Sequence, residues 1–386
     1  MSVRLLKICS VLLVAALLLF LVPPPRGEQA GAPAGPELPE DGEKWRIGYC
    51  EGEPFVNFAG HLHGLLTGLD ETGWIEDLEG LPYEPGQEDS RVMWQYLAQN
   101  EKSPYLEFVE DAHYSFFLEP ESEEELLERL EHEGDLDLVI VMGTYAGVAL
   151  STDSHQVPVL VFSASDPLGS GIVESVDDSG SPHVWAHLDP GRDRRQVEVF
   201  YDLFEFETMG LVYEDSELGR TFSAIDDVEE VAAEQGFDVA RRFVSEPVDS
   251  ADYQRYYDEL LSAHEELAQE VDAFYLSIAS IEAEKLPTLL HPFYRHDIPV
   301  FSQLGSGEVQ YGALASVARA DFNDIGIFGA HIIGQVLDGH KPRELTQVYM
   351  ETPNIALNLE VAERVGYQVP FEVMLVADLI YHEIQQ

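Results

Sequence analysis

Basic residues are scarce in this chain of 386 residues. Twenty-one Lys and Arg stand against 72 Asp and Glu, a formal net charge of −51. Lys7, Lys44, Lys102, Lys285 and Lys341 are all of its lysine. Such a surface repels nucleic acid and anionic lipid head groups, which argues against a nucleic-acid partner. Two readings of the acidity stay open: solubility of an exported protein in a saline medium, where repulsion is screened within about 10 Å, and attraction of a cationic ligand. Net charge speaks to solubility rather than to a site, which favours the first. Cysteine is equally sparse. Cys9 lies in an N-terminal apolar run, and Cys50 stands alone after it, so no internal disulfide can form there. Ile47-Gly48-Tyr49 is not a lipobox-like triplet, which argues against lipid anchoring at Cys50; a small buried core residue is the better reading. Catalytic signatures are missing too: Gly-x-Ser-x-Gly, a P-loop, Gly-x-Gly-x-x-Gly after a strand, and HExxH. His61-Leu62-His63 has metal-ligand residues, but i and i+2 do not face one another on a helix. No catalytic residue, metal or cofactor is therefore assigned.

One long apolar run is present, at residues 8–22. Arg4 and Lys7 precede it, Pro23-Pro24-Pro25 stops it, and Ala32-Pro33-Ala34 offers a cleavage site of the Ala-x-Ala kind. Residues 1–34 read as an export signal, with an uncleaved membrane anchor as the alternative; the run falls short of the roughly 20 residues a spanning helix needs. Residues 35–44 read as a flexible linker.

From Trp45 onward β and α signals alternate, the pattern of parallel α/β sheets. Strands are expected at Trp45–Cys50, Tyr105–Val109, Asp137–Met142, Val157–Phe162 and residues 183–188. A second series is expected at Thr208–Tyr213, residues 237–244, Val271–Leu276 and Ile298–Phe301. Helices are expected at residues 59–72, 121–133, 192–206, 216–235, 250–270 (Ser250 as N-cap) and 281–295, with 77–104 irregular. Two sheets of about five or six strands fit this length better than one.

Several segments carry a resemblance. Asp137–Thr144 is an apolar strand ending in Gly-Thr. Val157-Pro158-Val159 leads through Ser163 to Asp166-Pro167, and Met209–Tyr213 precedes a long helix to Gly236. Residues 298–381 run from a strand into Gln303-Leu304-Gly305-Ser306-Gly307, then through Gly312–Val317 and a helix closed by Asp338-Gly339. Asn358, Ala362 and Gly366-Tyr367-Gln368-Val369-Pro370 complete the order. From Trp45 to Tyr381 this order resembles the ABC transporter substrate-binding proteins, periplasmic components of an ABC-type uncharacterised transport system. The resemblance implies the type I periplasmic-binding-protein fold: α/β, two Rossmann-like lobes, each a parallel sheet flanked by helices, joined by a hinge. It implies lobe 1 at 45–165 plus 311–340 and lobe 2 at 166–310 plus 341–386, with a crossing at the Asp-Pro step. Residues 77–117 are longer than the family pattern, and Gly180–Ala186 replaces its Gly-Asn-Thr-Gly segment.

By that resemblance the chain is an extracytoplasmic, monomeric solute-binding protein of an ABC-type importer. It would capture a small polar ligand, an amino acid or a related compound, in an inter-lobe cleft and deliver it to a permease and its ATPase. A ligand-sensing receptor of the same fold is the rival, and a secreted α/β enzyme is the rival from another class. In open α/β sheets ligands sit beyond the carboxyl ends of the strands, so the loops there hold the candidates. They are Glu53, Phe55, Thr144, Tyr145, Ser163 and Asp166 in the first lobe, and Glu214, Ser277, Ser280, Gln303 and Ser306 in the second. Thr144 suits a carboxylate or a plain helix start. Asp166 could pair with a ligand amine or simply turn the chain before Pro167. Phe55 and Tyr145 could stack on a ligand ring or pack in the core. Ser277, Ser280 and Gln303 offer neutral hydrogen bonds.

Overall fold

The computed structural model describes residues 36–39, 42–100, 102–247, 251–277, 280–317, 322–350 and 354–385. The expected export signal, much of the linker and the Ser250 cap lie outside them. Of the described residues, 36–190 and 322–350 form one compact unit; 191–317 and 354–385 form the other. The crossings therefore fall near residues 190, 320 and 351 rather than at 165, 310 and 340. Strand pairing explains the difference. The segment after Asp166-Pro167 returns to pair with the first sheet, and Ala315–Ser316 pairs within the second.

The first unit holds a five-stranded, all-parallel sheet. Its strands are β1 (Trp45–Glu51), β2 (Leu106–Ser115), β3 (Leu138–Met142), β4 (Val159–Phe162) and β5 (Val184–Ala186), in the order β2-β1-β3-β4-β5. Every residue of β3 is buried because both sheet faces are covered. Leu138, Ile140 and Met142 join one core, and Val139 and Val141 join the other. The first core lies under helices α1 (Val56–Glu71) and α2 (Arg91–Asn100), through Leu62, Leu66 and Trp94. Helices α3 (Ser122–His132) and α4 (Thr144–Leu150) close the second, through Leu126, Leu130 and Leu150. Helix α2 lies in a stretch expected to be irregular. Its Met93, Trp94 and Leu97 have helical spacing, but Pro82, Pro85 and Gly86 before them masked the pattern.

In the second unit seven strands pair in the order β12-β11-β10-β9-β8-β6-β7. Helix α5 (Arg192–Phe204) leads to β6 (Thr208–Tyr213), α6 (Glu217–Phe222), α7 (Ile225–Gln235), β7 (Asp238–Phe243), α8 (Tyr253–Leu267) and β8 (Ala273–Leu276). Short helices α9 (Leu286–Leu289) and α10 (His291–Tyr294) precede β9 (Val300–Ser302), α11 (Ser306–Gln310) and β10 (Ala315–Ser316). Helix α12 (Asn323–Leu337) belongs to the first unit. The chain then returns through β11 (Ala356–Asn358), α13 (Leu359–Arg364), α14 (Phe371–Val376) and β12 (Leu379–Tyr381). All ladders are parallel except β10 with β11.

Two expected helices are broken. Residues 216–235 divide at Ser223-Ala224, where Ala224 takes φ +48°. Residues 281–295 divide at Leu290, ahead of Pro292, which has no N–H to continue the ladder. Asn358 has a clear physical role. Its Oδ1 accepts from Glu360 N and Val361 N at the start of α13, and its Nδ2 donates to Val309 O. Among the described residues no helix is long and apolar enough to cross a membrane.

Candidate functional site

Each sheet ends, at the carboxyl side of its strands, in loops rich in polar and aromatic side chains. In the first unit β1 runs into Gly52-Glu53-Pro54-Phe55. Glu53 is exposed as a residue, but neighbouring atoms partly shield its carboxyl from water, and that desolvation, then Glu88, raise its pKa. Phe55 is half-buried and meets Phe58 edge-on, ring centroids 5.3 Å apart. Phe58 in turn lies against Gly143, whose φ of +86° and close approach to that ring leave no room for a side chain. Thr144 begins α4 but caps another loop: Ser165 N–H donates to its Oγ1 at 3.1 Å. Ser163 sits at φ +54°, its Oγ 2.8 Å from His61 Nδ1. His61 stacks on Phe322, and His63 stacks on Tyr83 at 4.1 Å.

Tyr145 stands apart from these groups. It is 45% exposed, its ring centroid lies 4.6 Å from that of Phe117 with the planes tilted by 59°, and its hydroxyl donates to Glu123 Oε2. That hydrogen bond, more than burial, raises its pKa. Phe117 is 51% exposed and completes an aromatic face that the sequence reading missed. Its only signal was position, directly after β2. Asp166 is engaged in a turn: Leu168 N–H and Gly169 N–H donate to its Oδ1 at 3.1 and 2.9 Å.

In the second unit, Ser277 follows β8 and Gln303 follows β9. Both are buried, at 4% and 9% exposure. Gln303 Nε2 donates to Phe222 O at 3.2 Å, the carbonyl that the break between α6 and α7 leaves open, and lies 3.5 Å from Asp193 Oδ1. Among the described residues its Oε1, Ser277 Oγ and the Tyr275 hydroxyl are buried without a hydrogen-bond partner. Burial, then Asp193, push the Tyr275 phenol well up. Tyr275 was also missed. It reads as core from the apolar run around it, and its fully buried ring bears that out while its hydroxyl does not.

The remaining candidates are not brought to that group by any bond. Glu214 accepts from Ser216 Oγ at 2.8 Å and lines a cavity of about 350 Å³ with Phe243, Ser245 and Glu259. Ser280 and Ser306 are half-buried. Glu308, on α11 with Ser306, lies 3.4 Å from Ser302 Oγ, and burial pushes its carboxyl up to about 7. Among the described residues no group of three or more His, Cys, Asp or Glu is arranged to hold a metal. What these groups can do is bind: the first unit offers exposed aromatic rings at its strand ends, and the second offers buried hydrogen-bonding atoms that lack partners among the described residues.

Comparison with known proteins gives the family and the fold. A family model described as ABC transporter substrate binding protein matches residues 119–380. The chain is similar to a tyrosine-binding protein of Clostridioides difficile (strain R20291), 19% identical over 237 residues. That alignment covers 60% of this chain and 64% of the relative, so the chain spans less than two thirds of that relative's length. The fold is similar to that of an ABC domain from Streptococcus pneumonia in complex with L-Trp, with TM-score 0.62 and 21% identity over 88% of this chain and all of the other. It is also similar to a ligand-free, open substrate binding protein with adhesive properties from Clostridium difficile. There the TM-score is 0.61 at 16% identity, again over 88% of this chain and all of the other. The two α/β units have the type I periplasmic binding fold.

Proposed function

The chain belongs to the ABC transporter substrate binding protein family, and from that premise we propose that it is an extracytoplasmic receptor for a small polar ligand, an amino acid or related compound. It delivers the ligand to a membrane permease and its ATPase and has no reaction of its own. The observation that carries this reading is the set of buried polar atoms without partners at the ends of β8 and β9, Ser277 Oγ and Gln303 Oε1. A buried polar atom left unpaired costs about 1–3 kcal/mol, which a ligand hydrogen bond recovers. Phe55 and the Phe117–Tyr145 pair supply the apolar contact that an aromatic side chain needs. The tyrosine-binding relative and the neighbour bound to L-Trp support an amino-acid ligand.

A buried serine beside a histidine and a glutamate is a starting point for the enzyme reading. Ser90 Oγ lies 2.9 Å from His113 Nε2 and 3.0 Å from Glu51 Oε2. A catalytic triad needs the imidazole between serine and carboxylate, and here the serine is in the middle. A thermal-shift screen of ligand-free protein with amino acids, nucleosides, polyamines and small sugars tests the proposal. A ligand at 100 times its Kd adds about 2.7 kcal/mol of stability. Stabilisation by an aromatic amino acid in both low and high salt is expected. Stabilisation by polyamines alone that vanishes in salt would report only the acidic surface and count against it.

A further inference from the structure

The Ser90 cluster is a buried polar network that the binding reading does not use. Strands β1 and β2 pair Ile47 with Phe108 but Tyr49 with His113, so residues 109–112 bulge opposite Gly48. Such bulges re-aim side chains. Here Trp94 Nε1 of α2 donates to Val109 O at 2.9 Å, and His113 lies flat on Tyr49 with ring centroids 4.8 Å apart. The Tyr49 hydroxyl donates to Glu51 Oε2 at 2.6 Å, and Ser90 Oγ lies 3.0 Å from the same oxygen. Tyr49, Glu51, Ser90 and His113 are all buried, with Glu51 at 1% exposure. The charged and titratable neighbours are Cys50 on β1, Asp89 and Arg91 beside Ser90, and Glu119, which pairs with Arg91 at 3.1 Å. Among the described residues no cation bonds the Glu51 carboxyl directly.

Ser90 carries one hydroxyl proton and touches two acceptors. When Glu51 is ionised, Ser90 donates to it and His113 must donate from Nε2. When Glu51 is protonated and the Tyr49 hydroxyl still donates to it, its own hydroxyl donates to Ser90, Ser90 turns to donate to His113 Nε2, and the imidazole proton moves to Nδ1, a buried nitrogen with no hydrogen-bond partner among the described residues. Both strand ends of this relay lead to site residues. Glu51 is followed by Gly52 and Glu53, and Phe116 N–H and Phe117 N–H donate to Glu51 O and Gly52 O. We propose that Glu51 is a proton-linked positioning residue: a proton taken from solvent reverses the Ser90–His113 hydrogen bonds and shifts the strand ends carrying Glu53, Phe55 and Phe117, so ligand binding depends on pH. The relay stands by itself; its effect on ligand rests on the receptor reading. Burial pushes the Glu51 carboxyl up to about 7, only partly offset by the Tyr49 and Ser90 hydrogen bonds. Burial, then Arg91, hold His113 down at about 3. The carboxyl therefore titrates across neutrality while the imidazole stays neutral.

The test is ¹⁵N imidazole NMR of the full chain between about pH 6 and pH 9, with His113 assigned through His113→Gln. The expected result is an Nε2–H tautomer at high pH that becomes Nδ1–H at low pH, without an imidazolium signal. Glu51→Gln, which mimics the protonated acid, should hold the Nδ1–H form throughout. One tautomer at every pH in the wild type, or the same switch in Glu51→Gln, overturns the proposal. Calorimetry with L-tryptophan and L-tyrosine at both pH extremes reads the coupling. An affinity change of about threefold or more, absent in Glu51→Gln, supports it, and pH-independent binding overturns it. If neither amino acid binds while the tautomer switches, the relay stands and the amino-acid reading falls.

Discussion

Gly68→Ala is the sharpest structural perturbation this chain offers. Helices α1 and α12 touch along Gly64, Gly68 and Gly326, with almost nothing between the two backbones. A Cβ on Gly68 would lie 2.5 Å from Gly326 O, 2.7 Å from Gly326 C and 2.8 Å from Ile327 Cα. Ordinary carbon contacts begin near 3.5 Å. All three obstacles are backbone, so no side chain can rotate away and the helices must separate. Overpacking a dense core costs about 1–3 kcal/mol, sometimes more. Backbone obstacles place this site at the upper end, while replacing glycine within a helix returns about 1 kcal/mol. The net loss is about 2 kcal/mol, a fall in Tm of roughly 4–8 °C for a unit of this size. Differential scanning calorimetry measures it. Gly307→Ala is the control: its backbone angles are ordinary and its Cβ meets nothing within 4 Å. It should melt within a degree or two of wild type, or slightly higher. A Gly68→Ala protein that melts with wild type would refute the argument that these helices meet backbone to backbone.

Other perturbations follow from the same structure. Glu51 and Glu308 are held protonated to about pH 7, above the ordinary carboxylate value of 4.5. The folded state therefore binds more protons than the unfolded one across that window, and stability falls as pH rises through it. Glu51→Gln and Glu308→Gln should each flatten the fall in urea midpoint between about pH 5 and pH 8; a steeper fall would contradict the sign. Burial holds His264, 1% exposed, down at about 4, so its effect has the opposite sign: full stability above pH 6.5, lost as pH falls from 6.5 through 4. His264→Gln should reduce that acid loss in the same titration. Trp94→Phe deletes the donor to Val109 O at a buried bulge and should cost about 1–3 kcal/mol by denaturant titration; a cost near zero would mean the bulge carbonyl finds another donor. With a net charge of −51, raising NaCl from about 0.1 M to about 1 M shortens the screening length from about 10 to about 3 Å. The urea midpoint should rise accordingly, and a midpoint that falls would mean ion pairs outweigh repulsion.

The sheet strands were legible where burial makes a continuous apolar run. Asp137–Met142 and Thr208–Tyr213 show this, because both of their faces are covered and nothing interrupts the signal. Periodicity failed where tertiary contacts override it. Helix α2 was hidden by the prolines before it, and β2 runs through a bulge that spoils its alternation. The break at Ala224 has no Gly or Pro to mark it, yet it opens Phe222 O to Gln303. Strand-end loops were found by topology alone, which places Gln303 and Ser277 at the ends of β9 and β8. Topology could not say that Asp166 is consumed by a turn, or that Thr144 caps its neighbour. Nor could it reveal Glu51: a glutamate at a strand end reads as exposed, and only the fold closes Tyr49, Ser90 and His113 around it.

Solute binding is assigned to strand-end residues, Phe55 in the first unit and Ser277 and Gln303 in the second. Isothermal titration of refolded, ligand-free protein with L-tryptophan and L-tyrosine tests it most directly, alongside Phe55→Ala from one unit and Ser277→Ala and Gln303→Ala from the other. Saturable binding is expected, with affinity lowered about tenfold or more by loss of a buried hydrogen bond at Ser277 or Gln303. Phe55→Ala should weaken binding comparably. Heat in the wild type that is unchanged in all three variants, or no heat with either amino acid or with any hit of the wider screen, would contradict it.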